Sequence, residues 1–229
     1  WLKDGRKVEY DTAKITWINF SDSGTPSAAA EKTPVFTEDF TRMSSFGAIW
    51  ENFGVVGGDF QRFARVEPGH LVVRVPEGNN WGKTGIFSKE PFVTVDETPV
   101  RIQVELDENE TTGVCIALSA TRDLDIWRQQ NVWMTWVKTS ETEGATNFVN
   151  TQNGPESYGA IKTGPSAPRT ISIVLQAGKA SLILPDGKRS EGSFGWLKAG
   201  TRAYFTVYSH PARSSGSVNL TVNSIKVFK

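Results

Sequence analysis

Val100-Arg101-Ile102-Gln103-Val104-Glu105-Leu106 alternates apolar and polar residues with period two, and the apolar run Val114-Cys115-Ile116-Ala117-Leu118 follows shortly after it. Strict alternation buries one face of an antiparallel strand and leaves the other in water. The second run is strand-sized and far short of the about 20 apolar residues that a membrane helix needs. Ser217-Val218-Asn219-Leu220-Thr221-Val222 repeats the alternation near the end of the chain. Between such runs stand turn signals with glycines suited to positive φ, at Gln176-Ala177-Gly178-Lys179 and Pro185-Asp186-Gly187-Lys188, which predict hairpins. Strands are expected near 35–40, 48–53, 60–66, 70–75, 85–88, 91–95, 99–106, 113–119, 131–138, 146–150, 169–176, 179–184, 201–208 and 217–228. Only 123–130 has the makings of a helical turn, and no 40-to-50-residue repeat points to a propeller. The expected class is all-β: a two-sheet antiparallel β-sandwich.

Composition narrows the function classes. The 229 residues carry 25 Lys+Arg against 25 Asp+Glu, so neither a nucleic-acid footprint nor a polybasic membrane anchor is expected. A soluble chain without membrane insertion is the reading. One cysteine, Cys115, excludes an internal disulfide, and with only two histidines, His70 and His210, the usual zinc sets are excluded too. Cys115 lies in an apolar run and reads as a small buried hydrophobe. What stands out is 8 Trp beside 13 Phe and 4 Tyr.

Three segments are expected. Residues 1–20 hold two strand-like runs, Lys7–Tyr10 and Lys14–Phe20, suited to a hairpin or extension. Residues 21–34 are small and polar with Pro at both ends and no apolar period, a linker that ties the chain to a neighbouring domain. Residues 35–229 form the sandwich. Trp1 opens the chain without a leader pattern, so a targeting segment has been removed or the sequence is an excerpt.

The order of strand phrases resembles the concanavalin A-like lectin/glucanase jelly roll. The resemblance rests on Phe36–Phe40, Trp50–Phe53, Arg169–Leu175, the hairpin Ala180–Lys188 and Val222–Phe228. It implies two stacked, curved sheets, of which the concave face binds sugar in many members. It also implies that Glu105, Asp107 and Glu110, which fit the E-x-D-x-x-E spacing of the family 16 glucanases, would be nucleophile, electrostatic neighbour and general acid/base in endo-hydrolysis of a β-glucan. Those enzymes keep apolar residues between the acids. Here Glu108 and Asn109 intervene and Thr111-Thr112-Gly113 follows, which reads as a polar hairpin loop, so no catalytic residue is expected.

The expected function is a non-catalytic carbohydrate-recognition module of an extracytoplasmic protein, secreted, periplasmic or at the cell surface, that binds an oligosaccharide or polysaccharide. Indole stacks on the apolar C–H faces of sugar rings, and amides pair with hydroxyls. Trp127, Arg128, Asn131, Trp133 and Trp136 form one such cluster, and Trp81 in the loop Glu77–Lys83 is a further platform. Three residues separate Trp133 from Trp136, so in a regular strand they point to opposite faces. Tyr158 is a weaker candidate. Glu38 and Asp39 could contribute to a structural calcium site, although calcium needs six to eight oxygens. Asn19, Asn109 and Asn219 open Asn-x-Ser/Thr triplets. The alternatives are the glucanase-like hydrolase and a protein–protein assembly or adhesion domain with exposed aromatics.

Overall fold

The computed structural model describes residues 33–42, 47–55, 63–76, 83–122, 130–151, 155–210 and 217–229. The segment 1–20, almost all of the linker, and Trp81, Trp127 and Arg128 lie outside them. Among the described residues sixteen strands run in order: β1 (Phe36–Glu38), β2 (Trp50–Val55), β3 (Ala64–Glu67), β4 (His70–Val75), β5 (Lys83–Ser88), β6 (Val93–Thr94), β7 (Val100–Leu106) and β8 (Gly113–Ser119), then β9 (Asn131–Lys138), β10 (Gly144–Thr151), β11 (Pro155–Thr163), β12 (Thr170–Gln176), β13 (Lys179–Ile183), β14 (Arg189–Ser193), β15 (Arg202–Tyr208) and β16 (Val218–Phe228).

They build two antiparallel eight-stranded sheets. The first has the order β14-β13-β12-β7-β16-β4-β3, with β1 on β16; the second has the order β11-β10-β9-β8-β15-β5-β2, with β6 on β15. Some chain-neighbouring strands, such as β9, β10 and β11 or β12, β13 and β14, pair within a sheet, and other connections, such as β7 to β8, cross between sheets, as in a β-sandwich of the jelly-roll type. Alternation decides what fills the space between. Val100, Ile102, Val104 and Leu106 of β7 join Ile116, Leu118, Met134, Trp136 and Phe148 of the second sheet in one buried cluster. Each such side chain contributes roughly 1.5–3 kcal/mol relative to exposure.

Both hairpin expectations hold. Gly178 and Gly187 have φ of 80°, and Gln176 pairs with Lys179 across a two-residue turn. Two strands escaped the sequence reading. β14, Arg-Ser-Glu-Gly-Ser, pairs with β13 through small residues that give no hydrophobic signal. β11 begins at Pro155 and shifts register against β10 between Asn147 and Val149, close to Gly159 at φ 110°. Proline and an irregularity are typical of an edge strand, and they made this stretch read as a loop.

Candidate functional site

The outer faces of the two sheets differ in chemistry. On the first sheet, Arg101, Gln103 and Glu105 of β7 point away from the core; Lys226 Nζ lies 2.7 Å from Glu105, and Arg189–Glu191 and Arg74–Glu110 form further ion pairs. Exposed pairs of this kind are an ordinary solvated surface and add little stability.

On the second sheet the outward rows are aromatic, small or neutral-polar. Cross-strand register aligns Val149, Trp133, Ala117, Thr206 and Phe87, ending at Glu51 on β2. A parallel row holds Asn147, Thr135, Cys115, Tyr208 and Gly85, and a third holds Asn131, Ser119 and Tyr204. Directly opposed residues share a face, so these side chains form one surface. Phe87, Cys115, Ala117, Trp133, Val149 and Tyr208 make a second apolar cluster, separate from the core between the sheets. Glu51, at the edge and paired with Arg122, is the carboxylate of these rows among the described residues. The Arg122 guanidinium also stands 5.1 Å from the Phe87 ring centroid.

Within this surface Asn131 is wholly buried and, among the described residues, neither its Oδ1 nor its Nδ2 has a hydrogen-bond partner. A buried amide normally has its partners, so this one is an open donor and an open acceptor held in place. Where β15 ends, the chain passes so close to Gly85 and Gly113 that a Cβ on the first would collide with the Val207 carbonyl and on the second with the His210 carbonyl. The Tyr208 and His210 rings meet edge-on with centroids 6.5 Å apart, and Lys83 Nζ stands 5.8 Å from the Tyr208 centroid. Burial pushes the Cys115 thiol up to about 12 and raises the Tyr208 phenol, so both are neutral at pH 7.

The sequence candidates fall in different places. Asn131 and Trp133 come together on this face. Trp133 is 5% exposed and Trp136 is 0% exposed, so neither offers the solvent-facing ring that stacking was expected to use. Trp136 points inward into the main core, and its Nε1–H donates to Thr163 Oγ1 at 2.9 Å. The opposite orientations follow from the three-residue spacing. Glu105, Asp107 and Glu110 belong to the other side of the sandwich. Burial raises the Glu105 carboxyl, and the hydrogen bonds of Lys226, Ser224 and Gln103 outweigh it and hold the group below its usual range. Asp107 Oδ1 accepts the backbone N–H groups of Asn109 and Glu110, an Asx-type turn, while Glu110 is held by Arg74 and Thr221. Each glutamate thus has its own cation, and the segment is a strand end and a turn.

Glu38 and Asp39 do not share a site. Glu38 is buried and accepts from Phe40 N–H at 2.8 Å and Trp50 Nε1–H at 2.9 Å; Asp39 is exposed and accepts from Thr41. Glu38 thus braces the start of the sandwich with both oxygens, while Asp39 closes a surface turn. Among the described residues no group of three or more His, Cys, Asp or Glu could hold a metal. The sequence reading overlooked Lys83, Tyr208 and His210; the alternation of Tyr204, Thr206 and Tyr208 along β15 was the available signal. A separate groove of about 480 Å³, lined by Phe36, Ile49, Pro91, Phe92 and Val227 among others, lies at the first and last strands beside Val35, which is 61% exposed.

No protein-family model matches the sequence, and a search of curated proteins finds no relative by sequence. Solved structures do match. An endo-β-1,3-glucanase from Pyrococcus furiosus superposes with a TM-score of 0.59 at 11% identity, over 86% of this chain and 94% of that one. An endo-1,3-β-glucanase from Streptomyces sioyaensis gives 0.55 at 12% identity, over 89% and 98%. A legume lectin-like domain from Entamoeba histolytica gives 0.54 at 10% identity, over 87% and 99%. The fold is therefore the concanavalin A-like jelly roll, shared by catalysts and binders alike. No helix among the described residues is long and apolar enough to cross a membrane.

Proposed function

We propose that the chain is a non-catalytic carbohydrate-recognition domain of an extracytoplasmic protein, and that the outer face of the second sheet receives the glycan. The observation that carries this reading is Asn131, a buried carboxamide with both polar atoms unpaired among the described residues, on the same face as the Trp133 indole. An amide beside an aromatic wall matches a sugar, whose hydroxyls need paired donors and acceptors while its C–H face needs an apolar plane. The charge pattern agrees: hydroxyl and amide groups line the rows, and the glutamates that would serve a two-carboxylate displacement are on the other sheet, each engaged by a cation.

Access sets a condition. Trp133 and Asn131 are shielded, whereas Asn147 and Ala160, aligned across β10 and β11, are exposed. A glycan approaching this face therefore meets the exposed positions of β10 and β11 first.

The test is a glycan array with the whole chain, followed by titration of Asn131→Ala. Removing an amide that has no partner costs the free protein little. Its loss should nevertheless weaken glycan binding about tenfold, one or two hydrogen bonds' worth. A variant that loses stability and keeps its affinity would refute the assignment, as would an array on which the native chain binds nothing.

A further inference from the structure

The corner where β5 begins and β15 ends holds a positive charge that no described residue balances. Lys83 is half-buried, on the same face as Gly85 and Phe87, and forms no ion pair among the described residues. Its ammonium stands 5.8 Å from the centroid of the Tyr208 ring. The pairing of Tyr208 with Gly85, continued by Ser209 N–H donating to the Thr84 carbonyl, puts position 210 opposite Lys83, and His210 has its Nδ1 buried without a partner among the described residues. The titratable neighbours do not compensate the ammonium. Cys115 and Tyr208 stay protonated, and burial, reinforced by the Lys83 charge, pushes His210 down to about 4, so the imidazole is neutral at pH 7.

The Lys83 ammonium has no counter-charge among the described residues, and a buried ring nitrogen without a partner among them is unfavourable. An oxyanion relieves both: it gives Lys83 Nζ a charge-assisted hydrogen bond and accepts from His210 in the tautomer that carries its proton on Nδ1. A neutral imidazole serves better here than a charged one, since it donates without repelling Lys83. Gly85 and Gly113, which carry no Cβ, let the 207–210 backbone lie directly against β5 and β8, so the corner is built into the sheet.

We propose that Lys83 and His210 form an oxyanion subsite at the edge of the second sheet's outer face, and that it selects glycans bearing a carboxylate or a sulfate ester. The selection of glycans rests on the carbohydrate reading of that face; the oxyanion site itself does not.

Two measurements on the full chain separate these parts. In the first, sodium sulfate and sodium acetate are titrated while the His210 side-chain nitrogens are followed by NMR, with sodium chloride at equal ionic strength as control. The site requires a saturable shift and a rise in the His210 pKa, both lost in Lys83→Gln and kept in Lys83→Arg. A response that chloride reproduces is screening and overturns the proposal, and the wild-type result decides this even if a variant fails to fold. In the second, oligogalacturonate is compared with its methyl ester, and a sulfated galactan oligosaccharide with its desulfated form. One charged contact should favour the acidic member of a pair about tenfold, and Lys83→Gln should remove the preference. The pair that discriminates identifies carboxylate or sulfate. Equal binding of both members of each pair overturns the subsite and leaves the carbohydrate reading in place. An anion response at His210 with no glycan bound keeps the subsite and removes that reading, and silence in both removes both.

Discussion

Truncating Glu38 tests whether its carboxylate is a structural acceptor or a metal ligand. The side chain is 4% exposed, and its two oxygens take the Phe40 N–H and the Trp50 Nε1–H. Phe40 needs that support, because its φ of 57° places a non-glycine residue in the left-handed region, and its ring is buried. Trp50 packs with Phe92 and Phe205 at centroid distances of 5.2 and 6.0 Å, and Phe36 meets Phe92 at 5.1 Å, so one acid orients a four-ring cluster. Glu38→Ala leaves two buried donors unpaired at roughly 1–3 kcal/mol each, about 4 kcal/mol together. For a domain of this size about 4 kcal/mol lowers Tm by roughly 8–16 °C. Glu38→Gln keeps one acceptor and should lose about half as much. Asp39→Asn, at an exposed position, should stay within about 1 kcal/mol of the parent. The assay is thermal unfolding by circular dichroism in EDTA and again in calcium chloride, and the three shifts should be equal in both. An alanine variant that melts with the parent would refute the hydrogen-bond account. Calcium that raises the Tm of the parent but not of the variant would make Glu38 a ligand.

Trp136→Ala should cost roughly 3–5 kcal/mol in urea unfolding, since it empties a core site and leaves Thr163 without its indole partner. Glu105→Gln and Glu110→Gln should leave unfolding within about 1 kcal/mol and any glycan turnover unchanged; loss of a measurable hydrolysis by orders of magnitude would restore the glucanase reading. For His210 the folded pKa of about 4 lies below the ordinary 6.5, so the unfolded chain binds the extra proton first. Its contribution is complete above pH 6.5 and fades toward pH 4, and His210→Gln should flatten that part of the pH–stability curve. Gly113→Ala should destabilise by several kcal/mol in the same assay, because the obstacle is the His210 carbonyl, which cannot swing aside as a side chain does.

The alternation of Val100–Leu106 and of β16 was enough to identify strands, since period two is a local property that burial of one face imposes on the chain. The turns at Gly178 and Gly187 were equally local, because positive φ restricts residue choice at a single position. Even the opposite orientations of Trp133 and Trp136 were legible from their spacing. β14 was not, because its inward positions are Ser190 and Gly192, which fill space against a neighbour and carry no apolar signal of their own. β11 was hidden by Pro155 and Gly159, which an edge strand tolerates and a central one does not. Which sheet a strand joins is a matter of pairing between residues far apart in the chain. That is why Glu105, attractive by spacing, lies among the ion pairs of the first sheet, while Asn131 and Trp133 lie on the second. Burial around a residue is likewise collective. A tryptophan in a strand reads the same whether or not its outward face meets water, and only tertiary structure left Trp133 5% exposed. Lys83, Tyr208 and His210 converge because β5 and β15, separated by most of the domain's sequence, pair side by side. Local periodicity thus determined the elements, and long-range strand pairing decided which of their side chains share a site.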